Sequence, residues 1–278
     1  MMKLGVYSLI TPDYQIEEAA ALVAEIGYEA IEWTVDYEKA VWDGESRWHI
    51  STDDLESTAV RARRAAEAHG LAIPCLGTRC DCYEGDAVRR CMEVARLVGA
   101  PAIRVMAPRY DGSSHYDELL ASAREAYAQV EQTAREMEVA ALVELHHGLI
   151  SASASGTRRL LEGRDPQWVG AMLDPGNMVR EGMENWRMAV EILGPYLRHV
   201  HVKDVQWVRG DDGQWRCESA SLAEGIIDWQ EVVDALRSVA YEGCLDLEDL
   251  RGGWARKPVG ITTRQKLQEG YDHLSPLV

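Results

Sequence analysis

The sequence predicts an α/β chain closed into one (β/α)8 barrel spanning residues 1–278, and three observations carry that prediction. Short apolar runs alternate with longer helical patterns eight times along the chain. Four consecutive runs in the second half each end on an acid or an imidazole: Ala-Ala-Leu-Val-Glu144, Val-Gly-Ala-Met-Leu-Asp174, Leu-Arg-His-Val-His201 and Cys-Leu-Asp-Leu-Glu248. Those end residues lie 30, 27 and 47 apart, against roughly 30 residues for one βα unit of a barrel. The G-x-G-x-x-G turn that marks an open dinucleotide-binding sheet is missing after the first run.

Element by element, strands are expected at Lys3–Ser8, Ala30–Trp33, Ala72–Leu76, Ala102–Val105, Ala140–Leu145, Val169–Leu173, Leu197–His201 and Cys244–Leu247. They are short, apolar on both faces and bounded by Gly, Pro or charge, as buried parallel strands should be. Helices are expected between them. Tyr116–Glu136 repeats apolar residues at three- and four-residue steps, and so does Trp229–Val239, with Asp228 placed to cap it. The long excursion Asp204–Asp228 centres on Gly210-Asp-Asp-Gly213, flanked by Trp207-Val-Arg and Gln214-Trp-Arg, and reads as a hairpin over the active-site face. A second loop, Trp42–Ile50, holds Trp42, Trp48 and His49 and is expected to cover the other rim.

Composition narrows the function classes. A formal charge of −17 argues against duplex nucleic acid and against an anionic membrane surface. No apolar run reaches the roughly 20 residues of a membrane span, and the N-terminal residues read as a strand rather than a leader. Six cysteines without a C-x-x-C pair fit a reduced, cytoplasmic protein. Cys80 and Cys82 are read as loop residues rather than metal ligands.

Active sites of such barrels lie at the C-terminal ends of the strands. Parallel strands would bring Glu144, Asp174, His201 and Glu248 to one mouth, where three carboxylates beside one imidazole repel each other unless a cation sits among them. An oxygen-rich set with one imidazole suits Mn²⁺, Mg²⁺ or Co²⁺ better than a closed structural zinc site, though Zn²⁺ remains open. Such an ion polarises a substrate carbonyl and stabilises an enediolate, while a carboxylate beside the substrate carbon moves a proton. His146, two residues past Glu144, reads as a general base or hydroxyl binder. Lys203 reads as a substrate donor or a charge partner for a ligand carboxylate. Asp204 binds substrate or caps its loop, and Glu32 and Arg104 are expected to reach substrate. His199 shares the strand face of His201 and is expected one layer deeper, and His147 is read as structural. The tryptophans of the overhanging loops suit stacking on sugar faces. The basic, Gly-bearing stretch Arg251-Gly-Gly-Trp-Ala-Arg-Lys257 hints at an anion, but a neutral polyol or keto-sugar is preferred.

These fragments, with Gly27-Tyr-Glu-Ala-Ile-Glu-Trp33, Val143-Glu-Leu-His-His-Gly148, Leu173-Asp-Pro-Gly-Asn177, His199-Val-His-Val-Lys-Asp204, Gly225-Ile-Ile-Asp-Trp229 and Tyr241-Glu-Gly-Cys-Leu-Asp-Leu-Glu248, resemble the sugar phosphate isomerase/epimerase superfamily, the xylose isomerase-like TIM barrels. The resemblance covers essentially the whole chain. It implies one divalent ion, Mn²⁺ foremost, on Glu144, Asp174, His201 and Glu248, with Glu144 and Glu248 also the acid/base pair. It implies a sugar, keto-sugar or cyclitol substrate and a homo-oligomer, dimer or tetramer. Asn177 stands where ketose 3-epimerases carry a histidine, so it joins Lys203, Arg104 and Glu32 as a candidate substrate-binding residue. The expected activity is an isomerase or epimerase. The rival is a lyase of the same enolate chemistry: an inosose or dehydroshikimate dehydratase, or the catalytic subunit of a C-glycoside-cleaving complex. A DNA-repair nuclease on the same barrel would need more histidines and a basic groove.

Overall fold

A computed structural model of the chain describes residues 1–36, 49–52, 54–252 and 260–278. In chain order the elements are β1 (Lys3–Tyr7), α1 (Ile16–Ile26), β2 (Ala30–Asp36), β3 (Ile50–Ser51), α2 (Leu55–Ala68), β4 (Leu76–Gly77), α3 (Gly85–Val98), β5 (Ala102–Arg104), α4 (Tyr116–Met137) and β6 (Ala140–Glu144). They continue with α5 (Ala154–Leu161), β7 (Val169–Leu173), α6 (Pro175–Arg180), α7 (Trp186–Leu193), β8 (Leu197–Val202), β9 (Asp204–Arg209), β10 (Trp215–Ala220), α8 (Trp229–Ser238), β11 (Cys244–Leu247) and α9 (Thr263–Leu274).

Eight parallel strands close on themselves in the order β1-β11-β8-β7-β6-β5-β4-β2, with β2 returning to β1, so the barrel has no open edge. β3 adds two residues to the outer end of β2. The third strand lies later than expected: Ala72 forms only a bridge to Ala30, and the ladder resumes at Leu76–Gly77. Pro74 has no N–H to donate, which interrupts pairing between them. Between β7 and β8 the register slips by one residue, Ala171 facing Leu197 and Met172 facing His199. The hairpin over the mouth is present as β9–β10, with Arg209 opposite Trp215. The expected helices hold within a residue, and Asp228 caps α8 by accepting from the N–H groups of Gln230 and Glu231. Of the second rim loop, only His49 and Ile50 are described, and both are buried; Trp42 and Trp48 lie outside the described residues.

The main core fills the shell between barrel and helices, where Trp33 and Trp229 are almost wholly buried. A second, small apolar cluster of Cys75, Ala102, Ala140, Leu142 and Met172 plugs the barrel interior. Strand alternation then sets polar residues above it: Leu142 is followed by Glu144 and Met172 by Asp174. Close approach of strands demands glycine in two places. A Cβ on Gly5 would fall 2.0 Å from Asp246 Oδ1, and one on Gly77 2.1 Å from the Tyr7 ring.

Candidate metal centre

The polar filling of the barrel comes in two layers. The lower holds Glu32 from β2, His199 from β8 and Asp246 from β11, all inaccessible to solvent. His199 Nε2 lies 2.8 Å from Glu32 Oε2 and 3.2 Å from Asp246 Oδ2. Burial alone would lower the His199 pKa, but Asp246 and Glu32 overcome it and push it up to about 9.

The upper layer is the quartet. One ligand atom from each of Glu144, Asp174, His201 and Glu248 lies within 4.8 Å of all the others, and every one of the four residues is buried. His201 joins the layers. Its Nε2 meets Glu32 Oε2 at 2.9 Å, and since a carboxylate can only accept, the ring proton belongs there. Nδ1 then points toward the quartet, 3.4 Å from Glu144 Oε1 and 3.7 Å from Glu248 Oε2, with no hydrogen bond among the described residues, and Glu32 with the quartet's glutamates pushes the ring's pKa well up against burial. Tyr7 stacks on the ring at 5.0 Å between centroids, fixing its plane.

Two cations brace the carboxylates from outside. Arg104 donates to Glu144 Oε2 at 2.8 Å, to the Thr78 carbonyl at 2.9 Å and to the Tyr7 hydroxyl at 3.1 Å. Although burial opposes it, Arg104 holds the Glu144 carboxyl well below the usual range. Lys203 Nζ bridges Asp174 Oδ2 at 2.7 Å and Glu248 Oε2 at 2.6 Å. Asp174 also caps α6 and accepts from Asn177 Nδ2 at 2.6 Å. Burial, with Glu248 and Glu144 adding to it against Lys203, still pushes Asp174 up to about 7.

The donor set fits a hard divalent cation. Three carboxylates face two basic partners, a fourth donor is an imidazole nitrogen without a hydrogen-bond partner, and the oxygen content matches Mn²⁺ or Mg²⁺ chemistry. A carboxylate behind the far nitrogen of a ligand histidine is the usual device for fixing its tautomer, and Glu32 has that position.

Above the quartet opens a cavity of about 700 Å³, with His146, Asn177, Lys203 and Glu248 in its wall. Of the candidate site residues, the structure thus brings His146, Asn177 and Lys203 to the cavity beside the quartet. Glu32 and Arg104, expected at the substrate, do not line it. Both face the barrel axis one step below the mouth, and their polar atoms are used on His199, His201, Glu144, Thr78 and Tyr7. Asp204 is not at the cavity either. It ties the hairpin down, accepting from Trp229 Nε1 at 2.9 Å and from the Val205 N–H at 2.8 Å. His147, read as structural, lines the cavity, with Nδ1 2.9 Å from Asn177 Oδ1. Arg251 pairs with Asp249 and Glu269, while Arg256 and Lys257 of that loop lie outside the described residues.

Sequence reasoning missed Asp246, Tyr7, Arg79, Arg109 and Arg180. Asp246 had a signal, being two residues before Glu248 on one strand face, and Tyr7 closes the first strand as Glu144 closes the sixth. Arg79 and Arg109 sit in loops beyond strand ends, where periodicity says nothing, and Arg180 ends the six-residue α6, too short to show a period.

A family profile described as xylose isomerase-like TIM barrel matches residues 20–276. No curated protein matches the chain by sequence. Among solved structures, a D-allulose 3-epimerase from Methylomonas sp. superposes with a TM-score of 0.74 at 14% identity, covering 100% of this chain and 98% of that one. The probable 3-DHS dehydratase of petrobactin synthesis from Bacillus anthracis gives 0.74 at 16% identity, covering 99% of each. A xylose isomerase-like TIM barrel protein from Mycobacterium smegmatis in complex with magnesium gives 0.68 at 14% identity, covering 100% of this chain and 96% of that one.

Proposed function

This chain belongs to the xylose isomerase-like TIM barrel family, and from that premise we propose that it is a divalent-metal-dependent isomerase or epimerase of a small sugar, keto-sugar or cyclitol. The observation that carries the reading is the quartet: four buried donors converge beneath one open cavity, and one of them, His201 Nδ1, has no hydrogen-bond partner. Glu144, Asp174, His201 and Glu248 would hold the ion. Bound there, it supplies Lewis acidity for two neighbouring substrate oxygens and leaves the proton movements to the protein.

The chain's own residues divide the rest of the work. Arg104 keeps Glu144 ionised and oriented, so that a Glu144 oxygen can take a proton from a substrate carbon. Glu248 ends a different strand, with Lys203 on its Oε2, and is placed to return a proton from another side. His146 offers an imidazole to substrate hydroxyls, and Asn177, its amide N–H groups held by Asp174 and Glu144, offers the second lone pair of Oδ1. Burial lowers the His146 pKa, which keeps the ring neutral near pH 7. Solved structures of the same fold are named as a D-allulose 3-epimerase and as a probable 3-DHS dehydratase, which is in keeping with either outcome.

A lyase is the second reading, favoured by one observation: His146 stands in the cavity wall with Glu248, above Glu144 of the quartet, and so adds a third proton carrier where an epimerase needs two. The test is incubation of the manganese-loaded protein with keto-sugars, inososes and 3-keto-glycosides in D₂O. An epimerase gives one-deuteron incorporation with mass otherwise conserved, and a lyase gives a product lighter by water. Neither result, across the panel with metal bound, would contradict the reading.

A further inference from the structure

The cavity wall beyond the quartet is basic, although the chain carries 46 acids against 29 lysines and arginines. Arg79, Arg109 and Arg180 all line it, from the loops after β4 and β5 and from the end of α6. The acids in the described lining are Glu218 and Glu248, and Lys203 already answers Glu248. Among the described residues neither Arg109 nor Arg180 makes an ion pair, whereas Arg61, Arg89, Arg135, Arg216 and Arg264 on the outer surface all do.

Both unpaired guanidinium groups sit on braced supports. The loop carrying Arg109 is tied to the loop after β6 by hydrogen bonds from the Tyr110 N–H to the Gly148 carbonyl and from the Ile150 N–H to the Pro108 carbonyl, each 3.1 Å. Gly148 has φ of +78°, and a Cβ there would come within 3.1 Å of Arg109 Nη1, so the guanidinium packs over that turn. Arg180 is oriented through a chain that starts at the quartet. Asn177 gives its amide N–H groups to Asp174 and Glu144, so its Oδ1 must accept from His147 Nδ1. That leaves His147 Nε2 to accept from Arg180 Nη1 at 3.2 Å; Arg180 also reaches the Cys217 thiol, and further N–H donors of its fork remain for other partners.

We propose that this cavity takes an acidic sugar or cyclitol derivative, whose carboxylate or phosphate is held by Arg109 and Arg180 while its hydroxyl and carbonyl oxygens face the quartet. An arginine fork matches either anion in two-point geometry, and a cavity of about 700 Å³ has room for a six-carbon sugar with such a substituent. The inference rests on the sugar-enzyme reading for the nature of the rest of the ligand, and it replaces the neutral substrate preferred from the sequence.

The test is calorimetric titration of the full chain with inorganic phosphate, D-glucuronate and D-glucose, each with and without manganese, on wild type and on the double variant Arg109→Gln, Arg180→Gln. The expected result is that phosphate or glucuronate binds at least tenfold more tightly than glucose with or without the metal, and that the double variant loses at least tenfold of that affinity. Whichever anion binds names the source of the charge. Arg61→Gln, which does not line the cavity, should leave the affinity unchanged, and an unaltered melting temperature of the double variant keeps the comparison one of folded proteins. Equal affinity for glucose and the anions, or no loss in the double variant, overturns the inference. The two claims separate cleanly: metal binding and solvent exchange without anion preference defeat this inference alone, and anion binding without metal defeats the functional reading alone.

Discussion

Two clusters of acids and imidazoles are stacked inside this barrel, and they differ in what balances their charge. In the lower one, Glu32 and Asp246 surround His199 and, against burial, make it a proton-holding group with a pKa of about 9. None of its three residues lines the cavity above the quartet, and while the histidines hold Glu32 ionised, burial pushes Asp246 up toward its neutral form. In the upper one, Glu144, Asp174 and Glu248 lean on Arg104 and Lys203 and still leave Asp174 near 7 and His201 Nδ1 without a hydrogen-bond partner. Its donors gather beneath a cavity. Residue types alone do not separate the two. The separation comes from whether the cation is built into the chain or must arrive.

Substitutions should therefore act on different observables in the two layers. The largest effect is expected at the top: Glu144→Gln should lower turnover at least about a thousandfold, the range for removing a positioned acid or base. The melting temperature of the metal-free protein should move less than for a truncation, because the glutamine keeps an acceptor for Arg104 and a buried like charge is removed at the same time. His199→Ala reverses that profile. It strands Glu32 and Asp246 without their cation, which costs about 3–5 kcal/mol for a broken buried pair. A drop of roughly 10 °C in melting temperature is expected, and calorimetry measures both. A thousandfold loss of turnover at unchanged stability in His199→Ala would collapse the distinction between the layers.

Glu32→Gln probes the joint between them. It keeps the volume and one acceptor but weakens the hold on the His201 ring, so manganese affinity read by paramagnetic resonance should fall about 10- to 100-fold. The smallest change is expected for Asp246→Asn. Neither Asp246 oxygen makes a hydrogen bond among the described residues, so removing its buried charge should cost less than the loss of His199 does, by denaturant titration.

The upper layer was legible in the sequence because each acid or imidazole ends an apolar run, and a strand end in a parallel barrel is a fixed place. The lower layer was half hidden. His199 could be placed beneath His201 by period-two alternation, yet the same step from Glu248 to Asp246 was not taken. Glu32 and Arg104 show another limit: a strand position tells which layer a side chain joins but not which partner it meets there. Both turned to the quartet's own residues, Glu32 to His201 and Arg104 to Glu144, rather than to the cavity. The third strand was misplaced because the apolar run Ala72–Leu76 outweighed the missing N–H of Pro74. Arg109 and Arg180 left no trace, since a loop residue and the end of a one-turn helix take their meaning from what the fold brings beside them.

Metal stoichiometry tests the central claim most directly. Elemental analysis of the purified, manganese-equilibrated protein should give one divalent ion per chain, and Glu144→Ala or Glu248→Ala should reduce it to a small fraction while His199→Gln retains it. An ion-free wild type, or equal metal content in wild type and both glutamate variants, would contradict the account.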